Sequence, residues 1–177
     1  NLYPLKNNVE SETTPGAYVQ YTFNLHNHFI AMAGFRVDHS NVYGTFATPR
    51  FHVKWVATDF LTLRLSAGKG YRSPHALAEN NYLLASGRCL MVDQPLKQEA
   101  AWNYGTSTAL NIPLFNKTLK LNAEYYYTHF TNQTVIDYDS NPLELHIGNL
   151  NGKSYSHTFQ IDASYPVFRG FELTAAY

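Results

Sequence analysis

Eight histidines, one cysteine and scattered serines and carboxylates are the residues of this chain able to do acid–base, nucleophilic or metal chemistry. A hydrolase needs a nucleophile, a base and an orienting acid gathered at one place. Ser66, His52, Asp38 and Ser156 have the right types, but they belong to separate segments and, by spacing, to different heights. Any wet surface supplies such a set by chance. His26 and His28 fall in a short connection, His52 in a patterned stretch, and His129 and His157 near the ends of others. Only His75 and His146 lie in long connections where an incoming haem could meet a ligand. Cys89 cannot form an intrachain disulfide, and Cys-x-x-Cys zinc spacing is absent. This pattern points to no catalytic residue, no resident metal and no cofactor.

The elements that position these residues follow from composition and period. With 177 residues, 45% hydrophobic and 15% aromatic, the chain suits one domain or a piece of a larger one. Thirteen basic residues balance thirteen acidic ones, so no basic surface is on offer to nucleic acid. No apolar run reaches the roughly 18 residues of a spanning helix, which leaves spanning strands open. Asn1 to Glu12 are too polar for the core of a signal peptide. The chain lacks an initiator Met and stops at Tyr177 in a strand-like run, and it reads as an internal fragment.

Fourteen Tyr and eleven Phe suit a pleated surface, and the hydrophobic period is two. Ala17, Val19, Tyr21, Phe23 and Leu25 alternate with Tyr18, Gln20, Thr22 and Asn24. Phe29 to Asp38, Phe51 to Trp55, Leu61 to Arg72, Trp102 to Leu110, Leu119 to Tyr127 and Phe159 to Tyr165 repeat the pattern, and Phe171 to Tyr177 adds an eighth strand. The spacing predicts short turns near 26–28, 57–60, 111–117 and 166–170, and long excursions at 39–48, 73–98 and 131–152. An outer-membrane barrel alternates short periplasmic turns with longer extracellular loops in this way. Arg36, Asp38, Arg50, Lys54, Arg64, Arg72, Lys120, Glu124, Asp162 and Glu172 all occupy polar rows, and among the apolar rows only Lys69, close to a loop end, is charged. A basic residue facing mid-bilayer lipid costs about 2–4 kcal/mol, falling to roughly 0–1 near an interface. An ordinary antiparallel soluble sheet with one wet face is the competing reading. Trp55, Tyr71, Trp102 and Tyr165, near strand ends, suit the two aromatic belts of a barrel. The fold class expected is therefore all-β, an antiparallel transmembrane barrel wall.

Residues 48–88, TPRFHVKWVATDFLTLRLSAGKGYRSPHALAENNYLLASGR, are more specific. Thr48-Pro49-Arg50 opens a strand, and Leu63-Arg64-Leu65-Ser66-Ala67-Gly68 runs into Gly70-Tyr71-Arg72-Ser73-Pro74 after a turn. This pair of strands resembles the barrel of TonB-dependent outer-membrane receptors, in particular the Bacteroidetes branch of siderophore or colicin receptors. Ala101 to Gly105 and Asn149 to Ser156 resemble further pieces of the same wall. The resemblance implies a plugged barrel of about 22 strands, with about eight in residues 1–177 and the plug and TonB-contacting segment elsewhere. It further implies import of a scarce nutrient chelate, a ferric siderophore foremost, and as partners outer-membrane lipid, the TonB energy-coupling complex through the missing plug, and the chelate. A haem or cobalamin receptor of the same fold is the near alternative. For haem, Tyr71-Arg72-Ser73-Pro74 is similar to the Phe-Arg-Ala-Pro box of haem receptors, but Ser73 replaces Ala and the Asn-Pro-Asp-Leu box is missing. A small outer-membrane barrel enzyme or a soluble β-sheet binding module are alternatives of another class.

Within this frame Arg50, Arg64, Gly68, Gly70 and Arg72 are expected on the lumen row. The glycines leave room for a plug, and the guanidinium groups offer fixed donors to it. Ser73 and Pro74 are expected to open a short helix ending at Gly87. Glu79, Asn80, Asn81, Tyr82 and Arg88 in one loop, and Tyr138, Asp139 and His146 in the other, are the candidates for ligand contact. Spin labels along 61–72 of the full receptor should report lipid at Leu63 and Leu65 and water at Arg64 and Ser66. The opposite phase, or a period near 3.6, would refute the barrel wall.

Overall fold

The computed structural model describes residues 11–93 and 95–177. Eight strands pair into one antiparallel sheet: β1 Gly16–Leu25, β2 Phe29–Ser40, β3 Gly44–Thr58, β4 Leu61–Arg72, β6 Glu99–Leu114, β7 Lys117–Asn132, β10 Ser154–Phe168 and β11 Phe171–Ala176. Each is hydrogen-bonded to the strand named before it. Three shorter strands, β5 Cys89–Val92, β8 Thr134–Asp137 and β9 Glu144–Asn149, form a second sheet within the two long connections.

Register explains why the alternation survives across the sheet. Phe23, Ala31, Val53, Leu65, Thr106, Tyr125 and Phe159 are successive partners from β1 to β10. The neighbouring row, Asn24, Ile30, Lys54, Arg64, Ser107, Glu124 and Gln160, is polar apart from Ile30. A one-residue slip between any two strands would send one strand's apolar set to the wrong face. The apolar face is bare: Tyr21 is 68% exposed, and Leu65 and Phe159 are each 55% exposed. A soluble sandwich covers such a face with a second sheet about 10 Å away, and among the described residues no sheet packs there.

Tight turns close one end. His26 and Asn27 have φ of 48° and 60°, and Phe115 and Asn116 have 47° and 60°. Positive φ at both central residues marks turns whose twist matches the flanking strands, and Asn tolerates that conformation. The first turn is clamped by Asn24, whose Oδ1 accepts from the Asn27 N–H at 3.0 Å. The Tyr165 hydroxyl donates to the Leu114 carbonyl, and Lys117 Nζ to that of Val167, so neighbouring turns brace each other.

At the other end the structure corrects two expectations. The excursion at 39–48 is a three-residue turn between Ser40 and Gly44, because β2 and β3 stay paired as far as Ser40 opposite Gly44. Ser40 Oγ holds this tight turn, accepting from the Val42 and Tyr43 N–H groups. The helix after Pro74 comes in two short pieces, α1 Ala76–Glu79 and a 3₁₀ turn Asn81–Ser86. Ser73 does not cap it: its hydroxyl donates to Glu12, which also binds Ser40 and so ties the chain before β1 to both loop ends. Gly87 does end the segment in the left-handed region, φ 72°.

The long connections, expected as loops, carry the one apolar core among the described residues. Leu83, Leu90, Leu145 and Ile147 are buried together, with Ala76, Val92 and Ile136 against them. Parallel pairing of β5 with β9 joins the connection after β4 to the connection after β7. Ile147, fully buried, is the center of this body, and truncating such a side chain typically costs about 2–5 kcal/mol. Ile147→Ala should raise hydrogen exchange throughout 134–149 while leaving exchange in β6 and β7 unchanged.

Candidate functional site

The polar face gathers cations on two adjacent strands. Arg50, His52 and Lys54 of β3 stand directly opposite Gly68, Ser66 and Arg64 of β4. Lys54 thus faces Arg64, and like charges directly opposite destabilise a sheet. Neither of them, nor Arg50, has an ion-pair partner among the described residues. Lys54, Arg64, His52 and Ser66 line a groove of about 540 Å³, completed by Asn103 and Tyr126 among others. Such a groove attracts anions and polar chain.

The glycines of this face differ from one another. A Cβ at Gly68 would stand 3.4 Å from Arg50 Cγ and from the Pro49 carbonyl, so the glycine is room for Arg50. At Gly70 nothing lies within 4 Å, and the space is open. A tight position beside the groove, Gly105, was not singled out from the sequence: a Cβ there would come 2.5 Å from Ser66 Oγ and 2.6 Å from the Tyr126 ring. Its place in an alternating stretch on the lumen row is the signal that could have found it.

Arg72 is engaged within the wall and loop. Its Nε donates to Glu99 of β6, and its Nη2 lies 3.6 Å from Glu79 at the end of α1. It therefore fastens the loop body to the strand end. Asp38 is held by Arg36 Nε at 2.8 and 2.9 Å.

The loop candidates separate into two groups. Tyr82 and Tyr138, 56 residues apart, bring their hydroxyls to 3.3 Å, and Arg88 Nη1 donates to the Tyr138 carbonyl at 3.1 Å. Both tyrosines remain exposed, at 59% and 44%. Two aromatic faces and a guanidinium thus share one surface. Asn80 spends its amide on the Ala76 carbonyl, and Asn81 is exposed at the start of the 3₁₀ turn. Asp139 donates its N–H to Asp137. His146 lies apart from the tyrosines' bonds, with Nε2 3.2 Å from Glu144, Nδ1 3.6 Å from Asp93, and Asp137 opposite on β8. Sequence reasoning missed Asp93, Asp137 and Glu144, which bear on His146 through this small sheet.

Ser66 and His52 do face each other, against the expectation of different heights. No hydrogen bond joins them, and Asp38 is committed to Arg36. No three His, Cys, Asp or Glu among the described residues stand at metal-holding distances.

The sequence pattern of the TonB dependent receptor-like β-barrel family matches residues 1–177. The chain belongs to that family. It is a family of outer-membrane receptors, so the eight-stranded sheet is a portion of a receptor barrel and the chain is not an enzyme. The siderophore receptor PirA from Pseudomonas aeruginosa superimposes with a TM-score of 0.68 at 14% identity, covering 94% of this chain and 34% of its own. A variant of the ferric enterobactin receptor PfeA from the same organism, in complex with enterobactin, gives 0.72 at 14% identity, covering 92% of this chain and 26% of its own. The FrpB iron transporter from Neisseria meningitidis gives 0.68 at 18% identity, covering 93% and 25%. The receptor-barrel chain thus spans between a quarter and about a third of the length of these structures. No curated protein matches the sequence.

Charge in the loop body sets a pH window for this receptor portion. Glu144, before Asp93, holds the His146 pKa above its ordinary value of 6.5. Asp137 is lowered to about 2 by the Ser140 hydroxyl and the N–H groups of 139 and 140. A raised histidine stabilises fully below its unfolded pKa and loses that contribution as pH climbs through the folded one. A lowered carboxylate stabilises above its ordinary 3.8 and loses it as pH falls through about 2. Both contributions are present between these limits, so amides of β8 and β9 should be best protected near pH 5. Protection, corrected for intrinsic exchange, should fall as pH rises above 6.5, and His146→Gln should abolish that fall.

Proposed function

We propose that residues 1–177 are part of the barrel domain of a TonB-energised outer-membrane receptor that imports a ferric siderophore. The plug and the other strands belong to other parts of the full protein. In this reading the bare apolar face meets lipid, the short turns face the periplasm and the loop body faces outward. The observation that carries it is the pairing, in one wall, of an uncompensated basic polar row with a folded loop body at the strand ends. The iron-chelate receptors sharing the fold support the choice of cargo.

The division of labour follows from the chemistry. Tyr82, Arg88 and Tyr138 offer stacking faces and a charge to an anionic chelate arriving from outside. Arg50, Arg64 and the open space at Gly70 lie deeper, where a plug is seated. Lys54 and Arg64 repel each other until an anion, from plug or cargo, comes between them. Arg72 holds the loop body to the wall through Glu99 and Glu79.

The test compares two variants of the full receptor in cells and in surface-binding assays. Tyr82→Ala with Tyr138→Ala should weaken chelate binding about ten-fold, equivalent to about 1.4 kcal/mol. Arg64→Ala should leave surface binding intact and slow uptake. Loss of binding in the lumen variant with none in the loop pair would overturn the assignment. Expression of the parent gene should rise under iron limitation, and a response to cobalamin instead would overturn the siderophore.

A further inference from the structure

Away from the turns, Lys69 is the single charged side chain on the apolar rows of the eight-stranded sheet. An ammonium facing hydrocarbon is penalised, and the penalty fades only toward an interface. Its neighbours show which interface. Lys69 stands opposite Trp102 of β6, Trp102 opposite His129 of β7, and His129 opposite Tyr155 of β10. The adjacent row holds Tyr104, Tyr127 and His157. The rings are packed: Trp102 on Tyr104 at 6.1 Å, Tyr127 on His157 at 5.0 Å, Tyr155 on His157 at 5.5 Å, and Lys69 Nζ lies 4.8 Å from the Tyr71 ring centroid.

An aromatic belt accounts for Trp and Tyr at an interface but not for a lysine and two imidazoles among them. No Asp or Glu lies on these apolar rows between the turns. His129 has no side-chain hydrogen bond among the described residues. The Tyr125 hydroxyl is 2.7 Å from His157 Nδ1, and when it donates there the ring proton sits on Nε2 as a free donor. Lys69 and His129 are two strand spacings apart, about 10 Å, with the Trp102 ring between them. A cation and two N–H donors around an aromatic platform, with no acid to satisfy them, suit an anion held beside hydrocarbon.

We propose that Lys69 and His129, flanking Trp102 and joined by His157, bind the phosphate groups of an anionic lipid in the outer leaflet. The proposal rests on the orientation given above, apolar face to lipid and loop body outward. A headgroup bearing two phosphates spans the patch, with one phosphate near Lys69 and the other near the imidazoles. A lipid held there would pack against β4, β6, β7 and β10, the strands that carry the loop body.

The full-length receptor in detergent, titrated with diphosphoryl lipid A and with phosphatidylethanolamine and read by native mass spectrometry, tests this. Lys69→Met and His129→Phe keep the surface apolar and should each weaken diphosphoryl lipid A retention about five-fold, the scale of one basic residue near an anionic surface. Lys69→Arg should retain it, and phosphatidylethanolamine should be unaffected throughout. Unchanged retention in the double variant would overturn the headgroup site, as would equal retention of the two lipids by the unmodified receptor. Spin labels at Leu63 and Leu65 in the same samples read the orientation separately. Lipid exposure there with no loss in the variants refutes the site alone, whereas water exposure refutes the orientation beneath it.

Discussion

A backbone carried through hydrocarbon finds no water for its N–H and C=O groups, so each strand must satisfy them on its neighbours. The sheet meets that demand by pairing eight strands with few irregularities: single offsets near Ala57, Ala100 and Val167, two of them beside turns. Once the ladder is continuous, the faces are set by the pleat alone. Residues that a soluble protein would hide, such as Tyr21, Leu65 and Phe159, are displayed. Among the described residues the buried hydrophobic cluster lies in the loop body and not in this sheet.

The loop body obeys the opposite rule and buries its own apolar side chains. Leu83, Leu90, Leu145 and Ile147 close over one another as in any small soluble domain, each buried side chain contributing about 1.5–3 kcal/mol. Parallel pairing of β5 and β9 brings together segments more than fifty residues apart. Groups from two long connections are thereby held in one unit, and Arg72 fastens that unit to the wall through Glu79 and Glu99. A surface formed by Tyr82, Arg88 and Tyr138 exists only because of this joining.

Charge on the polar face is unevenly satisfied. Arg36 is spent on Asp38, Arg72 on Glu99, and Asn122 donates to Asp162 at 2.7 Å. Arg50, Lys54 and Arg64 are left without an ion-pair partner among the described residues, and Lys54 and Arg64 face each other across a groove. Alternating signs would stabilise the sheet here, and these two strands do not alternate them.

Alternation of apolar and polar residues, being local with a period of two, made the eight strands and their faces legible in the sequence. Lys69 could be placed near an interface by the same logic, since a charge facing lipid is tolerated only there. The tight turn at His26–Asn27 was foreshadowed by polar residues between patterned runs, and the one at Phe115–Asn116 falls inside the short connection expected at 111–117. Loop 39–48 was misread because strands that outlast the bilayer carry no apolar signal to mark their ends. Ser73 resembled a helix cap, but Glu12, far away in sequence, claimed its hydroxyl. The loop sheet, the Tyr82–Tyr138 contact, the carboxylates around His146 and the fit of Tyr126 over Gly105 were decided only by tertiary structure. Each depends on which residues from distant segments come into register, and a local period carries no information about that.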